Sequence, residues 1–388
     1  MVKIKLPSLD GQLHDYSMSE PKHFARKNNK PFNRIAYSAA HVVINSSENS
    51  QPSTYETIDW ETTINFRRYL WDCGLGVAEA MDTAQRGMGL SWPMALELIK
   101  HSLDAATDYP NAKIACGVGT DHLSTGDAKS INGVISAYKL QIESVEKLGG
   151  KLILMASREL ARLSTKPDDY AYVYSNLLEQ VEQPVILHWL GDMFDPALSG
   201  YWGSSLVDEA MNNCIEVITQ NQHKIDGIKI SLLDKSMEVK MRRKLPGSVK
   251  MYTGDDFNFP ELIAGDQQGY SHALLGIFSA IAPIASLALE KLSMGNRQEF
   301  LDLLNSTVAL SRHIFQAPTR FYKTGIVFMA FLNDQQNHFT MLGQQQNSRS
   351  ISHLVELFKL ADQAGLLVDP HLAKARMETV LNTSRNNQ

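Results

Sequence analysis

The sequence predicts a closed (β/α)8 barrel. Two observations carry that expectation: eight short apolar runs alternate with longer helical patterns, and no glycine-rich phosphate turn accompanies them. Eight repeated βα units argue for closure, because an open doubly wound sheet usually has fewer strands and often carries a GxGxxG or P-loop turn. Neither motif occurs; "CGVGT" at 116–120 has two glycines and lacks the third.

In order, the runs are "RIAYSAAHVVI" (34–44), "GLGVAEAM" (74–81), "AKIACGV" (112–118), "KLILMAS" (151–157), "PVILHW" (184–189), "GIKIS" (227–231), "VKMYT" (249–253) and "ALLGIFS" (273–279). Between them, Asp59 caps a helix through about Asp72 with Trp60, Ile64 and Leu70 on its apolar side, and Ser91 followed by Pro93 starts another. Further helical patterns lie near 130–147, 168–182, 204–222, 234–244 and 259–266, and Gly149, Gly150 and Gly269 read as helix stops. The chain divides into an N-terminal extension (1–33), expected as a cap or hairpin over the barrel bottom, the barrel itself (34–283) and a C-terminal helical region (284–388). The polar segment 45–58 is expected to be a long βα loop at the active site.

Of the 388 residues 44% are hydrophobic and 20% charged, the balance of a folded protein with a large core. A net charge of −5 with scattered Lys and Arg offers no nucleic-acid or anionic-membrane face, and "KMRRK" at 240–244 reads as a solvated helix end. The three cysteines, Cys73, Cys116 and Cys214, lack metal-like spacing and an even count, which favours a reducing compartment. No run approaches the roughly 18 apolar residues of a membrane span. The start "MVKIKLPSLDG" shows no apolar signal segment, so the expected location is cytoplasmic.

All eight βα loops of such a barrel open on one face, so functional groups are expected where strands end. The candidates are His41; Glu79, Asp82 and Thr83; Asp121 and His122; Ser157 and Arg158; His188 and Asp192; Lys229 and Ser231; and Asp255 and Asp256. Lys229, in "DGIKIS", occupies a place where a strand core calls for Val or Ile. An amine held in an apolar barrel has its charged form disfavoured, so more of it is the neutral nucleophile that condenses with a carbonyl. The resulting imine draws electrons from the adjacent carbon, which is aldolase and lyase chemistry. A lysine neutralised by Asp82, Asp255 or another carboxylate explains the position equally well.

The strings "QPVILHWLG", "DGIKIS" and "VKMYTGDDFNFPELIAGDQQGYSHALLGIFSAIAP" resemble, in order and spacing, the dihydrodipicolinate synthase and N-acetylneuraminate lyase superfamily over about residues 34–330. "GIK" followed by "GDD" is the most specific part, and the chain looks like a divergent, longer group of unknown function within that superfamily. The resemblance implies an imine-forming role for Lys229 and places Gly254 and Asp255 on a turn bordering the bound keto group. It also implies that Thr83, in "MDTAQ" at 81–85, is what remains of a paired-threonine loop that holds a carboxylate. His188 stands where the superfamily has a proton-shuttling tyrosine, and the arginine that follows there is absent from "GDMFDP". His188 is therefore expected as acid and base, and Asp82, Thr83, Ser231, Gly254 and Asp255 as substrate-binding residues.

Asp82 beside an anion is unfavourable, which directs the expectation from pyruvate towards a neutral or polyhydroxylated carbonyl compound such as a keto sugar. The function expected is a class I aldolase or lyase acting on a keto acid or keto sugar. It would use no metal or other cofactor, and its terminal helices would serve a homo-oligomer. Two alternatives use the same face. His41, Glu79, Asp82, His122, His188 and Asp192 are ligand types for Zn2+ or Mn2+ in a metal-dependent sugar isomerase or epimerase, although no HxH or HExxH spacing occurs. A barrel that binds a carbonyl ligand without turnover is the other. Tyr170, Tyr172, Tyr174, Met237 and Met241 read as packing or surface residues, Tyr270 and His272 as structural groups at the far end, and Lys323 as solvent-exposed, with closure of the barrel mouth as its alternative.

Overall fold

The computed structural model describes residues 2–8, 12–22, 24, 31–45 and 57–386. Apart from its ends, the loop expected at 45–58 lies outside the described residues. An antiparallel hairpin of β1 (Lys3–Pro7) and β2 (Leu13–Ser17) comes first. Eight parallel strands then close into a barrel in chain order: β3 (Ala36–Ala39), β4 (Gly76–Glu79), β5 (Ile114–Val118), β6 (Leu152–Leu154), β7 (Val185–Leu190), β8 (Ile225–Ser231), β9 (Lys250–Thr253) and β10 (His272–Leu275), which pairs back with β3. This is the predicted (β/α)8 architecture, and each of the eight apolar runs overlaps one of its strands.

The helices α1 (Trp60–Asp72), α2 (Trp92–Ala106), α3 (Ile131–Glu146), α5 (Pro167–Gln180), α6 (Val207–Gln220), α7 (Lys235–Lys244) and α8 (Phe259–Ala264) fall on the helical patterns of the sequence. Asp59 caps α1 by accepting from Thr62 N at 3.0 Å. A six-residue α4 (Arg158–Leu163), too short for a periodic signal, follows β6. After β10 come α9 (Ala282–Ser293), α10 (Arg297–Ile314), α11 (Tyr322–Leu332), α12 (Ile351–Gln363) and α13 (Pro370–Asn386). Among the described residues no helix is long and apolar enough to cross a membrane.

Alternation along the strands decides which side chains reach the barrel interior. Tyr37, Ala39, Ile153, Ile186, Tyr252 and Leu274 pack together inside, while Val185, Leu187, Ile228 and Ile230 pack outward with helical residues such as Tyr138. On β8, Gly227, Lys229 and Ser231 therefore face in. Gly227 is required by its neighbour, since a Cβ there would lie 2.6 Å from the Tyr252 ring. Tyr252 Oη donates to Asp226 at 2.7 Å, so its ring fills the barrel beneath Lys229. His272, at the same N-terminal end, accepts from Ile35 N at 2.9 Å.

The C-terminal helices reach back over the barrel mouth. All eleven residues of α11 are buried, as an apolar helix requires. Gln85 Nε2 donates to Leu342 O at 2.9 Å and Thr324 Oγ1 to Gln345 O at 2.7 Å, which ties the loop after α11 to the turn after β4. The N-terminal hairpin docks on α12 in place of the expected barrel bottom: Tyr16 Oη and Ser19 N both donate to Asp362, at 2.8 and 2.9 Å.

Glu238 of α7 is buried behind the barrel wall, where it accepts from Thr253 Oγ1 at 2.9 Å and Ser271 Oγ at 2.6 Å. Burial pushes its carboxyl up to about 8. The folded chain keeps a proton that the unfolded chain has lost, so this contribution to stability is fully present below the ordinary value of 4.5 and is lost as pH rises through about 8. One such proton imposes a slope of up to about 1.4 kcal/mol per pH unit. Glu238→Gln should flatten the pH dependence of urea unfolding across that window; a slope equal to that of the parent protein would rule the assignment out.

Candidate active site

Lys229 is 8% exposed and lines a narrow cavity of about 10 Å³ at the C-terminal ends of the strands, together with Asp82, Thr83, Ser231, Asp256, Phe315 and Tyr322. Among the described residues its Nζ forms no ion pair or hydrogen bond. Burial lowers its pKa, and the negative charges of Asp256 and Asp82 oppose that shift. Gly254, on the turn after β9, creates part of the space. A Cβ there would lie 2.7 Å from Lys229 Cε, 2.7 Å from the Ile230 carbonyl and 2.2 Å from Ser231 Oγ.

His188 pairs in register with Lys229 on the neighbouring strand, and its Nε2 stands 3.4 Å from Ser231 Oγ. Burial, reinforced by the charge of Lys229, holds its pKa well below the usual histidine value, so the ring stays neutral. His188 lines an adjoining cleft of about 120 Å³, which shares Asp82 and Leu190 with the lysine cavity and is walled by Arg86, Thr120, Asp121, Arg158 and Asp195.

Asp256, not Asp255, faces Lys229. Asp255 closes its own turn: Oδ1 accepts from Phe257 N at 2.8 Å and Asn258 N at 3.0 Å, and Oδ2 from Asn258 Nδ2 at 2.8 Å. Asp256 accepts from Ile277 N at 2.9 Å, and burial pushes its carboxyl up to about 7 against the pull of Lys229. Opposite, Thr83 Oγ1 and Tyr322 Oη are hydrogen-bonded at 2.8 Å, and the Tyr322 ring stacks on Phe315 with centroids 4.5 Å apart. Lys323 is 5% exposed, which overturns its expected exposure. Burial lowers its pKa to about 8, opposed by Asp82 and Asp195. Asp82 thus acts electrostatically on two buried amines, Lys229 and Lys323.

The other strand-end candidates are engaged elsewhere. Glu79 follows the inward Ala78 and so faces the helices, where Arg67 Nε and Nη2 each donate to it at 2.9 Å and Ser102 Oγ at 2.6 Å. Arg67 also bonds the carbonyls of His41 and Thr63. This clamp anchors the end of β4, just where Ala80 takes a φ of +52° before the chain delivers Asp82 and Thr83 to the cavity. His41 Nε2 pairs with Gln336 Oε1 at 2.8 Å, His122 Nδ1 with Gln141 Nε2 at 2.9 Å, and Asp192 lines a separate groove. Ser157 caps α4, and Asp121 holds Arg86. The six metal-type candidates are therefore dispersed, and among the described residues no three His, Cys, Asp or Glu gather as a ligand set.

Over residues 4–385 the chain matches the family described as "Protein of unknown function (DUF993)". The chain belongs to that family. No curated protein matches it. Its fold is that of solved dihydrodipicolinate synthases. The enzyme from Aquifex aeolicus gives a TM-score of 0.64 at 11% identity, over 86% of this chain and 99% of that one. The enzyme from Thermotoga maritima gives 0.62 at 14% identity, again over 86% and 99%. The chloride-inhibited enzyme from Acinetobacter baumannii, complexed with pyruvate, gives 0.63 at 16% identity with the same coverage.

Tyr322, which lines the lysine cavity, and Lys323, which follows it on α11 and feels the charge of Asp82, are passed over by strand-end reasoning because they come from the C-terminal region of this DUF993 protein. A signal was present in "YKTGIVFMAFL", where a lysine heads an apolar run as anomalously as Lys229 interrupts one. The Arg67–Glu79 pair has both side chains at 0% exposure, so Arg67→Ala would strand a buried carboxylate. The expected cost is about 3–5 kcal/mol in urea unfolding; a loss below about 1 kcal/mol, typical of an exposed pair, would refute the clamp.

Proposed function

We propose that this chain is a class I, Schiff-base enzyme of the lyase or aldolase type acting on a keto acid or keto sugar. It would be a divergent, longer branch of the dihydrodipicolinate synthase and N-acetylneuraminate lyase superfamily. The observation that carries the reading is the Lys229 amine, desolvated inside the barrel, lining a narrow cavity and without an ion-pair partner among the described residues.

The groups around Lys229 balance the reaction. Asp256 takes a proton from the ammonium, and the neutral amine attacks the carbonyl carbon while the C=O electron pair moves to oxygen. A proton passes from nitrogen to that oxygen, for which the Thr83–Tyr322 hydroxyl pair is in place, giving a carbinolamine. The proton held by Asp256 then goes to the hydroxyl, the C–O bond breaks, water leaves, and the nitrogen lone pair closes the C=N bond of the iminium. In sum, lysine ammonium and carbonyl give iminium and water, and the carboxylate of Asp256 faces the new cation. A carboxyl at about 7 exchanges protons in both directions at neutral pH. His188, kept neutral, is assigned to hydrogen bonding rather than proton supply, and Asp82, Thr83 and Ser231 to substrate contacts. Gly254 supplies room beside the amine, and Asp255 supports the turn.

Borohydride added with 2-oxo acids or ketoses, followed by peptide mass mapping, should leave a reduced adduct on Lys229 that is missing from Lys229→Ala. Full turnover by Lys229→Ala, or an adduct only at other lysines, would end the imine reading. Adduct formation should also rise as pH rises through about 7, where Asp256 becomes the carboxylate that takes the ammonium proton. Asp256→Asn should remove that acid limb, and its persistence would assign the proton to another group.

A further inference from the structure

The cleft beside the lysine cavity takes no part in imine formation, yet it holds donors that the protein leaves uncommitted. His188 lines it, and the buried Nδ1 of that ring has no hydrogen-bond partner among the described residues. At the rim, Asp195 accepts from Arg158 Nε at 2.5 Å and so orients the guanidinium. The two terminal nitrogens of Arg158 form no hydrogen bond with any described residue. They lie 3.7 and 3.9 Å from where a side chain would begin at Gly87, a residue whose φ of +69° suits glycine.

Lys323 stands close by. Its Nζ donates to the Arg320 carbonyl at 3.0 Å, leaving N–H groups to spare, and it feels the charges of Asp82, Asp195 and Arg158. Arg86, by contrast, is spent on Asp121, Gln141 and the carbonyls of Ala80 and Gly117. A guanidinium fork held open over a glycine matches the oxygens of a carboxylate or phosphate, and Lys323, which does not itself line the cleft, adds its charge from nearby.

We propose that the cleft is a second subsite, in which Arg158 holds an anionic group at the end of the substrate remote from its carbonyl, reinforced by the charge of Lys323, while an intervening hydroxyl or oxo group meets Nδ1 of His188. The substrate is then an extended carbonyl compound with an acidic tail. The charge of Asp82 is offset in part by the two lysines on which it acts. The inference rests on the reading of Lys229 as the carbonyl-binding end.

Two matched pairs of probes test it by calorimetry: 4-oxopentanoate against 2-pentanone for a carboxylate, and dihydroxyacetone phosphate against dihydroxyacetone for a phosphate. In both the parent protein and Lys229→Ala, one charged probe should bind at least about tenfold more tightly than its neutral partner. The pair that discriminates more identifies the anion. Arg158→Ala and Lys323→Met should each shrink the ratio, and together bring it to about one, in protein that circular dichroism shows to be folded. Equal binding of charged and neutral probes, no binding of either charged probe, or discrimination that survives both substitutions would overturn the subsite. Failure of the imine reading is separable: charge discrimination would persist while borohydride leaves no adduct on Lys229.

Discussion

The site depends on one constraint, the cost of holding a primary amine inside a barrel whose floor is filled by aromatic rings. Water cannot solvate Lys229 from below, where Tyr252 occupies the interior, and no carboxylate among the described residues closes on it. Desolvation therefore acts on the ammonium with only partial relief from Asp256 and Asp82. The same burial raises Asp256, so acid and amine are drawn towards each other's range and a proton can pass between them near neutrality. Gly254 makes this workable, since any side chain there would fill the space beside the lysine.

A barrel alone does not complete this environment. The C-terminal helices bring Tyr322 to Thr83 and Lys323 to the neighbourhood of Asp82, so part of the polar lining comes from outside the βα repeat. The buried α11 fixes those two residues because an apolar helix with every residue enclosed has little freedom to shift. Contacts from Gln85 and Thr324 to the loop beyond α11 hold its start in register with the turn after β4. That turn is strained at Ala80 and is anchored by the fully buried Arg67–Glu79 pair. Stability is thus invested where the cavity residues must be placed precisely to a fraction of their reach.

What the sequence by itself determined is the barrel and the orientation of its strands. Eight apolar runs separated by helical patterns predict a closed parallel sheet, and the alternation of any strand places Gly227, Lys229 and Ser231 on one face. Parity could equally have turned Glu79 outward, one step from the inward Ala78, but at a strand end the alternation is too short to read with assurance from sequence. Only tertiary structure decided between Asp255 and Asp256, because neighbouring carboxylates are told apart by which one spends its oxygens on local backbone N–H groups. It alone decided the partner of Thr83, which lies 239 positions away, and the burial of Lys323. Local periodicity carries no information about pairings at that distance; they are set by how the helices beyond the repeat pack onto the barrel mouth.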